Sequence, residues 1–168
     1  MTGQPERPIL FLDVDGTLVP IGGEARDWSS VQDAETVGEA TDNPLLNRLD
    51  PDHGRRLLTL GCELVWATSW MDEANDEVGP RIGLPHLPIV AWSEYVDDTI
   101  PSRVHWKTPD LVSWAAGRTF IWVDDQITES DRAWTARHHA GEALLHRVEP
   151  SAGLTGPDFS TIEAWLTK

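Results

Sequence analysis

The sequence predicts an α/β fold of three layers, a parallel sheet with helices packed on both faces. Two observations carry this. Short, wholly apolar runs, above all Ile9–Leu12 and Phe120–Val123, end abruptly in acidic residues, as buried strands of a parallel sheet do. Between these runs lie longer segments with helical spacing and helix-start or helix-stop residues, and strands alternating with helices imply parallel pairing through crossovers.

Taken in order, the first strand is Ile9-Leu10-Phe11-Leu12, followed by Asp13-Val14-Asp15 and a turn at Gly16. Val19 to Gly23 reads as a loop or hairpin, and acidic polar sequence continues to about Asn43. A helix is expected over Pro44–Leu60, with Leu45, Leu46, Leu49, Leu57, Leu58 and Leu60 on its buried side and an interruption at Pro51. Gly61 closes it, and Cys62–Thr68 reads as the second strand. A short acidic helix over Met71–Val78, stopped by Gly79-Pro80, precedes a third strand at Pro88–Trp92. Thr108 reads as a helix N-cap with Pro109 in the first helical position, and that helix ends at Gly117. Thr119–Val123 is the clearest later strand. A helix over Glu129–His139, a strand over Ala143–Val148, a loop over Gly153–Pro157 and a helix over Phe159–Leu166 complete the chain. With no repeat, low-complexity tract or linker in sight, residues 1–168 are expected to form one domain.

Composition narrows the function. A formal charge of −15 over 168 residues favours solubility and disfavours nonspecific binding to phosphate backbones. A lone cysteine, Cys62, excludes an internal disulfide and reads as a small buried side chain. No stretch has the length of a membrane span, and the first residues lack a signal-peptide layout, so a cytoplasmic protein without a membrane partner is expected.

Chemistry gathers at the strand ends. Residues two apart on a strand share a face, so Asp13 and Asp15 can converge at the carboxyl edge, where open α/β sheets bind ligands. Two carboxylates about 4 Å apart at an effective dielectric of 20 repel by ~4 kcal/mol, which asks for a cation, and hard oxygen ligands favour Mg2+. The second strand ends at Thr68-Ser69, Lys107 stands just before a helix start, and the last clear strand runs into Asp124-Asp125. Singly these are an acidic turn, a strand-end hydroxyl, a surface lysine and a turn pair. In this order they make coincidence a poor account.

The ordered set resembles the haloacid dehalogenase (HAD) superfamily of phosphatases and phosphotransferases across most of the chain. Phe11-Leu12-Asp13-Val14-Asp15-Gly16-Thr17-Leu18 is similar to its first motif, Thr68 to its second, Lys107 to its third and Val123-Asp124-Asp125 to its fourth; Val65-Trp66-Ala67-Thr68-Ser69-Trp70 resembles a small bacterial branch, some of whose members are associated with RNA repair. The resemblance implies a Rossmann-like sheet, and neither Val19–Asn43 nor Met71–Trp106 leaves room for a large cap domain. It further implies Asp13 as nucleophile and Asp15 as general acid and base. Magnesium would be held by Asp13, Asp124 and the backbone carbonyl of Asp15, with Asp125 supporting the metal shell. Thr68, or Ser69 as rival, would donate to a phosphoryl oxygen, and Lys107 would supply a fixed positive charge. A carboxylic acid at position 15 can give and take a proton, which favours phosphate-ester hydrolysis.

The substrate is less legible. A capless site would be open to a bulky phosphorylated substrate, or could be roofed by the loop at Pro20–Gly23 or by a partner subunit, which leaves a homo-oligomer open. Trp66 and Trp122 lie in apolar strands and read as core, whereas Trp70 and Trp106 are the better placed for a rim that could stack a nucleobase. Asp131, seven positions past Asp124, is expected on a helix surface, and the six histidines show no metal-site spacing. Three rival readings remain. A receiver domain of the response-regulator type would carry its acid pair at the first strand and its phosphoacceptor later, contrary to D-x-D-G-T here. A catalytically silent binding protein of the same fold is opposed by the filled motif positions. An RNA-end phosphatase is opposed by the negative charge.

Overall fold

The computed structural model describes residues 6–22, 44–94 and 97–168. Four strands, β1 (Ile9–Leu12), β2 (Glu63–Trp66), β3 (Phe120–Asp124) and β4 (Ala143–Arg147), form one sheet in the order β2-β1-β3-β4. Every pairing is parallel, with Leu12 opposite both Trp66 and Val123. β1 and β3, the interior strands, are buried throughout, and both are apolar at every position before the closing Asp124 of β3.

Alternation along each strand divides the core in two. Leu10, Leu12, Leu64, Trp66, Ile121 and Val123 face one layer of helices, whereas Ile9, Phe11, Val65, Phe120 and Trp122 face the other. The first layer contains α1 (His53–Thr59), α2 (Gly79–Ile82) and α5 (Gly156–Leu166), through Leu57, Ile82, Phe159 and Ile162. The second contains α3 (Lys107–Ala115), through Leu111 and Ala115. α4 (Glu129–His138) packs beside α3. This is the expected three-layer, Rossmann-like α/β arrangement.

Several elements differ from expectation for identifiable reasons. Pro44–Leu60 divides at Pro51 into a 3-10 turn, Pro44–Arg48, and α1. Gly79-Pro80 does not stop the preceding helix. A π-type turn over Ala74–Val78 runs directly into α2, where the proline falls in the first turn and no N–H is needed, and Gly83 in the left-handed region (φ 80°) makes the stop. Pro88–Trp92 is not a strand. It pairs with the sheet through a single Ile89–Trp66 bridge while Val90 packs into the core, and Ser93 turns away to bond the Asp110 carboxylate through its N–H and hydroxyl. Thr108 is not the cap of α3; it lies inside the first turn and its hydroxyl donates to Asp131. α5 begins at Gly156 because Thr155 and Asp158 form a capping box, earlier than the apolar pattern suggested.

Cys62 is buried and free, and burial pushes its thiol up to about 11. The expected acidic loop to Asn43 lies, from residue 23 onward, outside the described residues. Between Met71 and Trp106 the described residues hold short helical turns and extended segments, with no large cap. No described helix is long and apolar enough to cross a membrane.

Candidate active site

The register of the sheet assembles the site. Asp13 follows the last residue of β1 and donates its N–H to the Val123 carbonyl (3.2 Å), so its side chain lies beside that of Asp124, the last residue of β3. Lys107 arrives from the first turn of α3 and donates to both, at 2.9 Å from Asp13 Oδ1 and 2.8 Å from Asp124 Oδ2. All three are buried, with the lysine only 5% exposed. Lys107 is therefore no solvated surface group.

Asp125 completes an acidic cluster: Asp13, Asp124 and Asp125 each present an oxygen, all within 4.8 Å of one another. Gly16 makes room for it. Its backbone is left-handed (φ 73°), and a Cβ there would overlap the Asp125 carboxylate.

The electrostatics follow from crowding. Burial, reinforced by the neighbouring Asp124, pushes Asp13 up to about 7 despite the opposing pull of Lys107. Burial, with the hydrogen bond and charge of Asp124, pushes Asp125 up to about 6. For Lys107, burial favours the neutral amine, but Asp13 and Asp124 outweigh it and hold the ammonium above its ordinary value. One lysine is too little positive charge for three buried acids. Their oxygens suit a hard divalent cation, and magnesium fits this donor set.

The carboxylate of Asp15 is not part of that cluster. Its Oδ2 accepts the indole N–H of Trp70 at 3.1 Å. Thr68 is fully buried; its hydroxyl oxygen accepts the Trp70 backbone N–H at 3.2 Å, and its carbonyl accepts Trp92 Nε1–H at 3.1 Å. Ser69 is exposed. Trp66 and Trp122 lie in the core as expected, Trp70 is half-buried, and Trp106 is 53% exposed. Trp106 meets Trp92 edge-on (4.9 Å between centroids), and Lys107 Nζ lies 5.6 Å from its ring.

Asp131 corrects the sequence reading. Instead of lying on the surface it is wholly buried, and it joins the N-termini of α3 and α4. Its Oδ1 accepts His105 N–H and the Thr108 hydroxyl, and its Oδ2 accepts the N–H and hydroxyl of Thr128. The Thr-x-x-Asp spacing at 128–131 is a capping signature, so the sequence held the signal. Nothing comparable marked Trp70 as the partner of Asp15 or Trp92 as a support for Thr68. A cavity of about 760 Å3 between residues 97–104 and α4 is lined by none of these acids, nor by Lys107 or Thr68.

A parallel sheet with acid pairs at the carboxyl ends of two adjacent strands, and a lysine spanning them, defines the class: a HAD-like hydrolase in a small, capless form. Within that class the chain belongs to the family described as the HAD domain in Swiss Army Knife RNA repair proteins, whose model matches residues 9–159. Among solved structures, the fold is similar to the HAD domain of effector protein Lem4 from Legionella pneumophila, at 15% identity and TM-score 0.51, covering 94% of each chain. No curated protein matches the chain.

Proposed function

We propose that this protein is a magnesium-dependent phosphomonoester hydrolase acting through an aspartyl-phosphate. The convergence of Asp13, Asp124 and Asp125 within 4.8 Å, beside a buried lysine, carries this reading. Asp13, Asp124 and Asp125 would hold the metal, together with the backbone carbonyl of Asp15. A magnesium ion bound there would neutralise charge on the carboxylates and on the incoming phosphoryl group.

The remaining work belongs to the chain. Asp13 attacks phosphorus, and a carboxylate is competent for this covalent step. Asp15, held outside the acidic cluster, protonates the leaving oxygen and later takes a proton from the attacking water. Lys107 keeps its charge between the nucleophile and Asp124, a point-charge role that suits lysine. Thr68 accepts a backbone N–H and so keeps its own proton for a phosphoryl oxygen, while Ser69 offers the exposed hydroxyl.

The test is hydrolysis of 4-nitrophenyl phosphate by purified protein, with and without magnesium, beside Asp13→Asn and Asp15→Asn. Magnesium-dependent turnover abolished by Asp13→Asn is expected. Turnover that survives that substitution removes the nucleophile assignment. A second reading keeps the chemistry and places the phosphate at an RNA end. The family description favours it, and the charge of −15 restricts it to end recognition rather than extended backbone contact. Short RNAs bearing 5′- or 3′-phosphates, assayed in parallel, separate the two; failure of every substrate would leave a silent binding protein of this fold.

A further inference from the structure

The contact between Trp70 and Asp15 has no part in the mechanism above, yet it links residues 55 positions apart in the chain. We infer that Trp70 is a positioning residue for the proton transfer, selecting which oxygen of Asp15 carries the proton. The inference rests on the reading of Asp15 as general acid and base.

The chemistry is asymmetric. An indole N–H is a donor only and has no lone pair to offer a carboxylic acid proton. With that N–H 3.1 Å from Oδ2, the protonated acid is best served by presenting its carbonyl oxygen, the stronger acceptor, to the indole, which favours the transferable proton on Oδ1. In the first half-reaction Asp13 forms its bond to phosphorus, the bond to the leaving oxygen breaks, and the Oδ1 proton moves to that oxygen, releasing an alcohol. In the second, water attacks phosphorus and returns a proton to Oδ1. The phosphorus bond to Asp13 then breaks, giving inorganic phosphate and the free carboxylate. The indole stays on Oδ2 through both halves, so the acid points the same way in each.

Local structure supports a placed side chain. Met71, the next residue, is held in the left-handed region (φ 53°), a conformation that costs a side-chain-bearing residue of order 1–3 kcal/mol and that clusters at functional sites. The Trp70 backbone N–H is fixed on the Thr68 hydroxyl, and its ring packs partly buried against the core. Backbone and indole are thus fixed from separate directions.

The test is the dependence of kcat/KM on leaving-group pKa, measured with magnesium over aryl and alkyl phosphates. General-acid help matters most for poor leaving groups, and misplacing a catalytic group costs up to about 100-fold. Trp70→Phe, which keeps an aromatic ring and removes the N–H, is expected to lose about 10- to 100-fold more rate on an alkyl phosphate than on 4-nitrophenyl phosphate. Trp70→His, which restores a ring N–H, should recover part of that difference, and it carries the same comparison if the phenylalanine variant does not fold. Equal losses across the series, or none, would overturn the positioning role. Asp15→Asn, run alongside, should show the same dependence more steeply. A flat series for that variant would instead refute the acid–base reading on which the inference stands.

Discussion

Replacing Asp131 by alanine tests how the site is held together. The carboxylate is wholly buried and is the acceptor in four hydrogen bonds, from His105 N–H (2.7 Å), the Thr108 hydroxyl (2.8 Å), and the N–H and hydroxyl of Thr128 (both 2.9 Å). A hydrogen bond to a charged group contributes about 1.5–3 kcal/mol, and loss of a helix cap alone costs about 1 kcal/mol. The four share one carboxylate and two donors are hydroxyls free to rotate elsewhere, so they do not add in full. The net cost expected is about 3–5 kcal/mol, the range for breaking a buried network. In a domain of this size that is a fall in Tm of roughly 6–20 °C. Chemical denaturation followed by tryptophan fluorescence measures it directly. Asp131→Asn should do little better, since the added NH2 would meet other donors where an acceptor is required. A loss below about 1 kcal/mol for either variant would show that the network is not what joins α3 to α4.

Two further predictions follow from individual contacts. Gly16→Ala places a side chain in a left-handed position, costing about 1–2 kcal/mol, and drives Asp125 out of the acidic cluster; the rise in Tm on adding magnesium to the wild type should largely vanish in the variant. For Asp158, burial pushes the carboxyl up, but hydrogen bonds from His146 and Thr155 outweigh it and hold the acid below its ordinary 3.8. Its stabilisation is therefore present above pH 3.8 and is lost as pH falls through the folded value, so Asp158→Asn should lower stability near pH 6 and converge on the wild type in acid. Parallel pH–stability curves for the two proteins would refute this.

The sheet was legible because Ile9–Leu12 and Phe120–Val123 are apolar at every position, and a fully buried strand needs no partner to be recognised. Its fringe was not. Pro88–Trp92 has strand composition, but Pro88 has no N–H to give and Ser93 is claimed by Asp110, a competition invisible along the chain. Gly79-Pro80 reads as a stop because both residues weaken helix interiors, yet at a helix start the missing N–H costs nothing. Among site residues, Asp13, Thr68 and Asp124 could be placed because each stands at or just past the carboxyl end of an apolar run. Trp70 could not, since its value lies in a bond to Asp15, 55 residues away. Asp131 reads as a helix-surface acid from its position seven residues past Asp124, although Thr128-x-x-Asp131 is itself a capping signature.

Acids and lysine are placed by different devices. Leu12 pairs with Val123, so Asp13 and Asp124 stand one residue past paired positions on neighbouring strands, about 4.8 Å apart by sheet geometry. Their proximity survives any change that spares the sheet. Lys107 has no such guarantee. It sits in the first turn of α3, and His105, two residues before it, and Thr108, the next residue, are tied to Asp131 and through it to α4. Loss of Asp131 should therefore displace the cation and leave the acids in place. With its counter-charge withdrawn, the cluster depends more heavily on an added divalent ion. Asp131→Ala should consequently gain more stability from magnesium than the wild type does, while its turnover falls. A smaller gain would mean that the acids had moved with the lysine, and that α3 and the sheet edge respond as one unit.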